Sequence, residues 1–215
     1  NMGAITFLDD RTTKETTKLT IGDLVMFDLR GQSSNYQGHT VIMTGVVDMT
    51  NKIISTVISC IEFSKSDWDS YETSWDFKYH PLIKTSICDT TTVTDPITIS
   101  DSYHSWVFEC EQRFLELKAN EEELNRIFID IYGLQDELTP EVLEKDVTVH
   151  RVYDSKEDVP ESMKGSAYIR TKRDEIVSLL SYAIGCMFGR YSLDTEGLAF
   201  AGGDWDESKY TTFKP

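Results

Sequence analysis

The feature that most restricts this chain is a seven-residue apolar recurrence in its second half. Tyr103, Cys110, Leu117, Leu124 and Ile131 follow one another at that interval, and Val107, Phe114 and Phe128 stand four residues after the first, second and fourth of them. A spacing of seven with a companion at four keeps side chains on one face of an α-helix. Glu121 alone interrupts the series. The pattern predicts either one helix of about 30 residues, about 45 Å long at 1.5 Å per residue, or two helices jointed near Ala119-Asn120. Gly133 supplies the stop, because a helix commonly ends on a left-handed glycine. Fewer than five heptads with an acidic break make a weak zipper, so the stripe reads as an intramolecular packing face.

A second strong helix is expected from Lys172 to about Phe188, opened by the capping pattern Thr171-x-x-Asp174. Its apolar positions Ile176, Leu180, Ala183, Ile184 and Met187 predict a core-facing stripe, and Ser178, Ser181, Gly185 and Gly189 form a second, small-residue face. Thr139-Pro140-Glu141 resembles the start of a short helix. Val147, Val149 and Val152 alternate with polar residues and suggest a strand within Asp146–Tyr153, followed by a polar loop over Asp154–Gly165. The first hundred residues are rich in Thr, Ile and Val, and they read as strands over Ala4–Leu8, Leu19–Leu29, Thr40–Asp48 and Lys52–Phe63. The last two are joined by a hairpin at Met49-Thr50-Asn51. The expected fold class is therefore α+β. An antiparallel β-rich N-terminal half (1–100) precedes a mainly helical half (101–215) that packs on it, with one long or jointed amphipathic helix and a second core helix.

The 215 residues carry 21 Lys and Arg against 37 Asp and Glu, a net charge of −16, most of it in the second half. Such a balance excludes a strong autonomous phosphate binder, since phosphate affinity comes mainly from Lys and Arg. Apolar residues at 40% and aromatics at 11% are too many for an acidic disordered tail and predict a folded core. The longest apolar run, Ile176 to Phe188, falls short of the roughly 20 residues of a membrane span. Cys60, Cys88, Cys110 and Cys186 form no C-x-x-C pair, which argues against a zinc knuckle or a disulfide scaffold and for a reducing cytoplasm. His39, His80, His104 and His150 fall in four different expected elements, so no metal site is expected. Three of the thiols sit in apolar surroundings, and no G-x-S-x-G elbow or phosphate-binding glycine loop occurs; no catalytic residue is assigned. The aromatic-acidic segments Trp68–Phe77 and Gly203–Asp206 read as anchors that pack loops onto the core.

Two longer strings carry a family resemblance. Asn120 to Val142, with its core E-x-x-L-N-x-x-x-x-x-x-Y-G-L, is similar to a helix-turn segment of large adenine-specific DNA methyltransferases of the PglX type, found in BREX and phage-growth-limitation defence systems. Met187 to Asp194, running into Gly197 to Trp205, resembles that type more specifically, and Thr73–Phe77 followed by His80-Pro81-Leu82 adds to it. The resemblance spans about residues 70–215. It implies a parent enzyme that transfers a methyl group from S-adenosylmethionine to the exocyclic amine of adenine in DNA. The family's N-P-P-Y/F tetrapeptide and its upstream glycine-containing cofactor motif are both missing from this sequence, and an extruded adenine needs both. The chain is therefore expected to be a non-catalytic internal portion, downstream of the catalytic core, that helps orient or recognise DNA or acts as a scaffold. It is expected to hold no cofactor of its own, with S-adenosylmethionine implied for the parent, and its ending fits a piece of something longer.

Expected DNA contacts are Arg30, Gln32, Asn35, Gln37 and His39 in a Gly/Ser/Asn-rich loop, and a basic spot at Arg170, Lys172, Arg173 and Arg190. Arg, Gln and Asn are the side chains that grip base edges in pairs. A competing reading is an acidic protein-interaction module that docks on basic defence-system partners, and another is a DNA-mimic inhibitor. Arg190 has a structural alternative, pairing with Asp194 or with a helix C-terminus.

Overall fold

The seven-residue seam folds as one continuous helix of 34 residues, Ile99–Tyr132. Thr98 opens it with a reciprocal cap: its hydroxyl accepts from the Asp101 amide at 3.2 Å, and the Asp101 carboxylate accepts from the Thr98 amide at 3.1 Å. Gly133 closes it at φ 67°, a left-handed position that a Cβ would strain. There is no joint at Ala119-Asn120. The seam is buried as far as Leu117 save at half-buried Val107, half-buried at Leu124 and exposed at Phe128 and Ile131.

The computed structural model describes residues 5–8, 13–16, 36–83 and 98–215, with side chains from residue 49 onward. The chain divides into two compact units, Asn1–Ile58 and Ser59–Pro215. In the first, β1 (Ile5–Leu8) pairs antiparallel with β2 (Thr13–Thr16), placing Ile5 opposite Thr16 and Leu8 opposite Thr13. Then comes α1, Tyr36–Trp68, 33 residues long, and the unit boundary falls inside it. The Ile99–Tyr132 helix is α2. A short parallel pair, β3 (Arg151–Tyr153) and β4 (Ile169–Thr171), leads directly into α3 (Lys172–Met187).

The expectation of an antiparallel β-rich N-terminal half is overturned. Residues 40–48 and 52–63, with the supposed hairpin between them, lie within α1. Of the other expected strands, Ala4–Leu8 overlaps β1, and Leu19–Leu29 lies outside the described residues. The physical reason is that β-branched residues lose only about half a kcal/mol each in a helix, a bias that packing readily overrides. The half-buried positions Ile53, Thr56, Cys60 and Phe63 and the buried Asp67 recur at three and four, and Cys60 and Phe63 pack against Phe114, Leu117, Val147, Val149 and Met163. Thr56 and Ser64 hydroxyls bond back to the Lys52 and Cys60 carbonyls within the helix. The expected strand over Asp146–Tyr153 shrinks to β3, and the expected helix at Thr139-Pro140-Glu141 is absent, with a single 3-10 turn at Glu144–Asp146 instead.

Helix α3 also differs from expectation in its orientation. Its cap is as anticipated, with the Asp174 carboxylate accepting from the Thr171 amide at 2.8 Å and from its hydroxyl at 2.7 Å. The buried side chains are Glu175, Tyr182 and Cys186, and the stripe Ile176, Leu180, Ala183, Ile184 and Met187 faces outward. Tyr182 stacks on Tyr191 with centroids 5.0 Å apart, and both meet Phe77 edge-on. Gly185 is required there, since a Cβ would stand 2.6 Å from the Tyr191 ring. Of the aromatic-acidic segments, Tyr71 and Phe77 are buried but Trp75 is 98% exposed; Trp205 stacks on Tyr210 at 4.5 Å and covers Gly189. No helix of the described residues is long and apolar enough to cross a membrane.

Candidate functional site

A buried aromatic and a buried charge lie beside the apolar seam, on its inward side. On α2, Trp106 and Arg113 stand three residues after Tyr103 and Cys110, on the same inward face. Asp67 lies at the end of α1, and Glu175 in the first turn of α3, fully buried. A buried ion is costly unless paired, so each of these charges must find partners inside the protein.

They find them in one closed ring. The Asp67 carboxylate accepts from Arg113 Nη1 at 3.3 Å and from the His150 backbone amide at 3.1 Å, and His150 Nδ1 lies 2.7 Å from its other oxygen. The Arg113 guanidinium sits 5.2 Å from the Trp106 ring centroid, and Trp106 Nε1 donates to Glu175 at 3.1 Å. The other Glu175 oxygen accepts from Arg170 Nε at 2.5 Å. Arg170 lies 4.4 Å over the Tyr71 ring, which meets the His150 ring edge-on at 4.8 Å, and so the circuit returns to Asp67. Nearby, Arg151 makes a fork-to-fork pair with Glu111 at 2.6 and 2.7 Å and covers the Phe114 ring at 4.7 Å. Such bidentate pairs are the stronger kind.

The titratable groups are tuned by burial. Burial pushes the Cys110 thiol up, with the Arg113 charge opposing; burial likewise raises Cys186, and raises Cys60 with help from Glu121. A thiol held protonated is a poor nucleophile. Burial, with the carboxylates of Glu175 and Asp67, pushes the Tyr71 phenol up as well. His80 goes the other way: burial and then the Arg170 charge bring it down to about 4, and its Nδ1 accepts from the Leu82 amide at 3.2 Å. The described residues hold no group of three or more His, Cys, Asp or Glu that could hold a metal ion.

The expected DNA-contacting residues fall into different settings. Arg30, Gln32 and Asn35 lie outside the described residues; Gln37 and His39 belong to the first turn of α1, so the expected loop is helical there, but their side chains are outside what the structure describes. Arg170 is half-buried and committed to Glu175 and Tyr71. Lys172 Nζ stands 4.7 Å over the Tyr103 ring. Arg173 and Arg190 are exposed. Arg190 lies 4.0 Å from Glu72 and does not pair with Asp194, whose carboxylate instead accepts from the Thr212 hydroxyl and the Thr211 and Thr212 amides. Those bonds hold the Asp194 carboxyl down to about 2. Of the ring residues the sequence reading picks out Arg170, as a DNA contact and not as the partner of Glu175; Trp106 and Arg113, seven apart beside the seam, carry a signal that it passes over.

Replacing Glu175 with Gln removes the charge that compensates Arg170, and urea unfolding is expected to show a loss of about 3 to 5 kcal/mol. His80 sets a pH window. Folded His80 stays neutral to about pH 4 whereas an unfolded histidine binds its proton near 6.5, so the unfolded chain holds the extra proton in between. Its contribution, about 3 kcal/mol at about 1.4 kcal/mol per pH unit, is complete above pH 6.5 and is lost as the pH falls to about 4. In His80→Asn, which keeps an acceptor for the Leu82 amide, the fall in urea midpoint between pH 7 and pH 5 is expected to be smaller than in the parent protein.

No protein-family model matches the sequence. Two known proteins do. An adenine-specific methyltransferase PglX of Lacticaseibacillus casei (strain Zhang) is 46% identical over 170 residues, which is 79% of this chain and 12% of that protein. An adenine-specific methyltransferase BrxX of Escherichia coli O9:H4 (strain HS) is 30% identical over 142 residues, 66% of this chain and 11% of that protein. The chain thus spans about an eighth of the length of these relatives. Identity of this extent places the chain in the PglX-type family of adenine-specific methyltransferases.

Proposed function

We propose that this chain is a non-catalytic internal portion of an S-adenosylmethionine-dependent, adenine-specific DNA methyltransferase in a phage-defence system, working in the cytoplasm as a scaffold for the catalytic and DNA-reading parts. One observation carries this: 79% of the chain matches only 12% of a methyltransferase that is 46% identical to it. The sequence has no N-P-P-Y/F tetrapeptide with which to grip an adenine. S-adenosylmethionine then binds to the parent elsewhere, and DNA reaches this portion through the parent enzyme.

The pairing of cations supports a scaffold over a phosphate-binding surface. Arg113, Arg151 and Arg170 are engaged with carboxylates of the same chain. Arg173 and Arg190, with Arg30, Gln32, Asn35, Gln37 and His39, remain the candidates for a lesser DNA contact. A second reading, docking of the acidic surface on basic defence-system proteins, is favoured by the net charge of −16.

Methyl transfer from labelled S-adenosylmethionine to adenine in duplex DNA, together with a gel shift at low salt, tests the proposal. The full-length enzyme is expected to methylate and to bind DNA. The 215-residue chain is expected to do neither, or to bind only weakly, with Arg173→Gln and Arg190→Gln weakening that binding without regard to sequence. Methyl transfer by the 215-residue chain alone, or undiminished transfer by an enzyme from which this region is deleted, would contradict it.

A further inference from the structure

The outward stripe of α3 is out of place on a helix that covers a core. Leu180, Ile184, Met187 and Phe188 are each more than half exposed, Phe188 to 80%, and Val177 and Ile176 extend the stripe one turn further. Val177, Leu180, Ile184 and Phe188 wall a groove of about 580 Å³ that ends at Arg190. Together the six side chains present on the order of 700 Å² of apolar surface, more than the largest patch of an ordinary monomer and close to one side of a standard interface. Exposed apolar area of this size, set along one helix at spacings of three and four, is the form of a helix-in-groove seat.

We infer that this groove is the seat of an amphipathic helix from another part of the same methyltransferase polypeptide, outside these 215 residues. The inference rests on the reading of the chain as a portion of such an enzyme. Its first support is length: the match covers 12% of the relative, so most of such a polypeptide is available to cover the stripe. Its second is charge. Exposed Arg173 stands at one end of α3 and exposed Arg190 just beyond the other, a cationic rim on a chain of net charge −16. A second copy fits badly, because a two-fold axis pairs the stripe with itself. Parallel or antiparallel, cations then meet cations at both ends, and two chains of −16 are brought together. A helix with an apolar face and carboxylates toward its two ends satisfies both the groove and the rim.

Met187 is a built-in reporter, 61% exposed, and Met163, fully buried, is its control. Hydrogen peroxide converts an accessible methionine to its sulfoxide, and mass spectrometry of peptides gives the rate at each site. In the 215-residue chain Met187 is expected to oxidise fast and Met163 slowly. In the full-length enzyme Met187 is expected to slow about tenfold or more, and Leu180→Lys in that enzyme to restore the fast rate while Met163 stays slow, which shows that the fold is retained. Equal Met187 rates in the two proteins overturn the inference. So does a Met187 rate in the 215-residue chain that slows as its concentration rises, since that puts a second copy in the groove. Methyl transfer measured on the same full-length preparation judges the enzyme reading separately: transfer with a fast Met187 overturns only the seat, and a protected Met187 without transfer supports the seat while counting against the enzyme reading.

Discussion

The fold of residues 59–215 depends on buried charges that have to be neutralised by one another. Asp67, Arg113, Glu175 and Arg170 come from α1, α2, α3 and β4, and each would be expensive to bury alone. Aromatic rings complete the connection: Trp106 joins Arg113 to Glu175, and Tyr71 with His150 joins Arg170 back to Asp67. α1, α2 and the β4–α3 segment, far apart in sequence, are thereby fixed in one register. Apolar packing surrounds the ring, with Tyr103 and Cys110 beside it and Phe114, Leu117, Val147 and Met163 continuing along α2. An apolar core tolerates many arrangements, whereas a buried ion pair tolerates few.

The same constraint shapes function. Arginines that are committed to internal carboxylates offer little to a phosphate backbone. It also decides which side of α3 faces in. Glu175 must reach Trp106 and Arg170, and Tyr182 and Cys186 follow it inward on the same face, so Ile176, Leu180 and Ile184 are turned out. The outward stripe is thus a consequence of the ring.

What sequence patterning reveals here follows from which signals are local. The α2 seam, its Gly133 stop and the Thr171 cap depend on residues within a turn or two, and they are legible. Helix α1 is not, because exposed Val57, Ile58 and Ile61 between them hide the spacing of Cys60, Phe63 and Asp67. The facing of α3 fails for a related reason: counting apolar residues assigns the inside to Ile176 and Leu180, but a fully buried carboxylate at Glu175 outweighs them. A charge that bonds to a ring 69 residues away in the chain, as Glu175 does to Trp106, leaves no periodic trace. The family resemblance succeeds where composition is silent, since it rests on whole strings such as Asn120–Val142.

The central claim is that the charges and rings form a single closed network. A double-mutant cycle across it, combining Trp106→Phe on one side with His150→Asn on the other, measures this by urea unfolding of the 215-residue chain. These two side chains share no direct bond, and the network joins them through Arg113 and Asp67 on one side and through Glu175, Arg170 and Tyr71 on the other. A closed network predicts a coupling energy above about 0.5 kcal/mol. Additivity within about 0.3 kcal/mol would show separate pairs that merely lie close together, and would contradict the account.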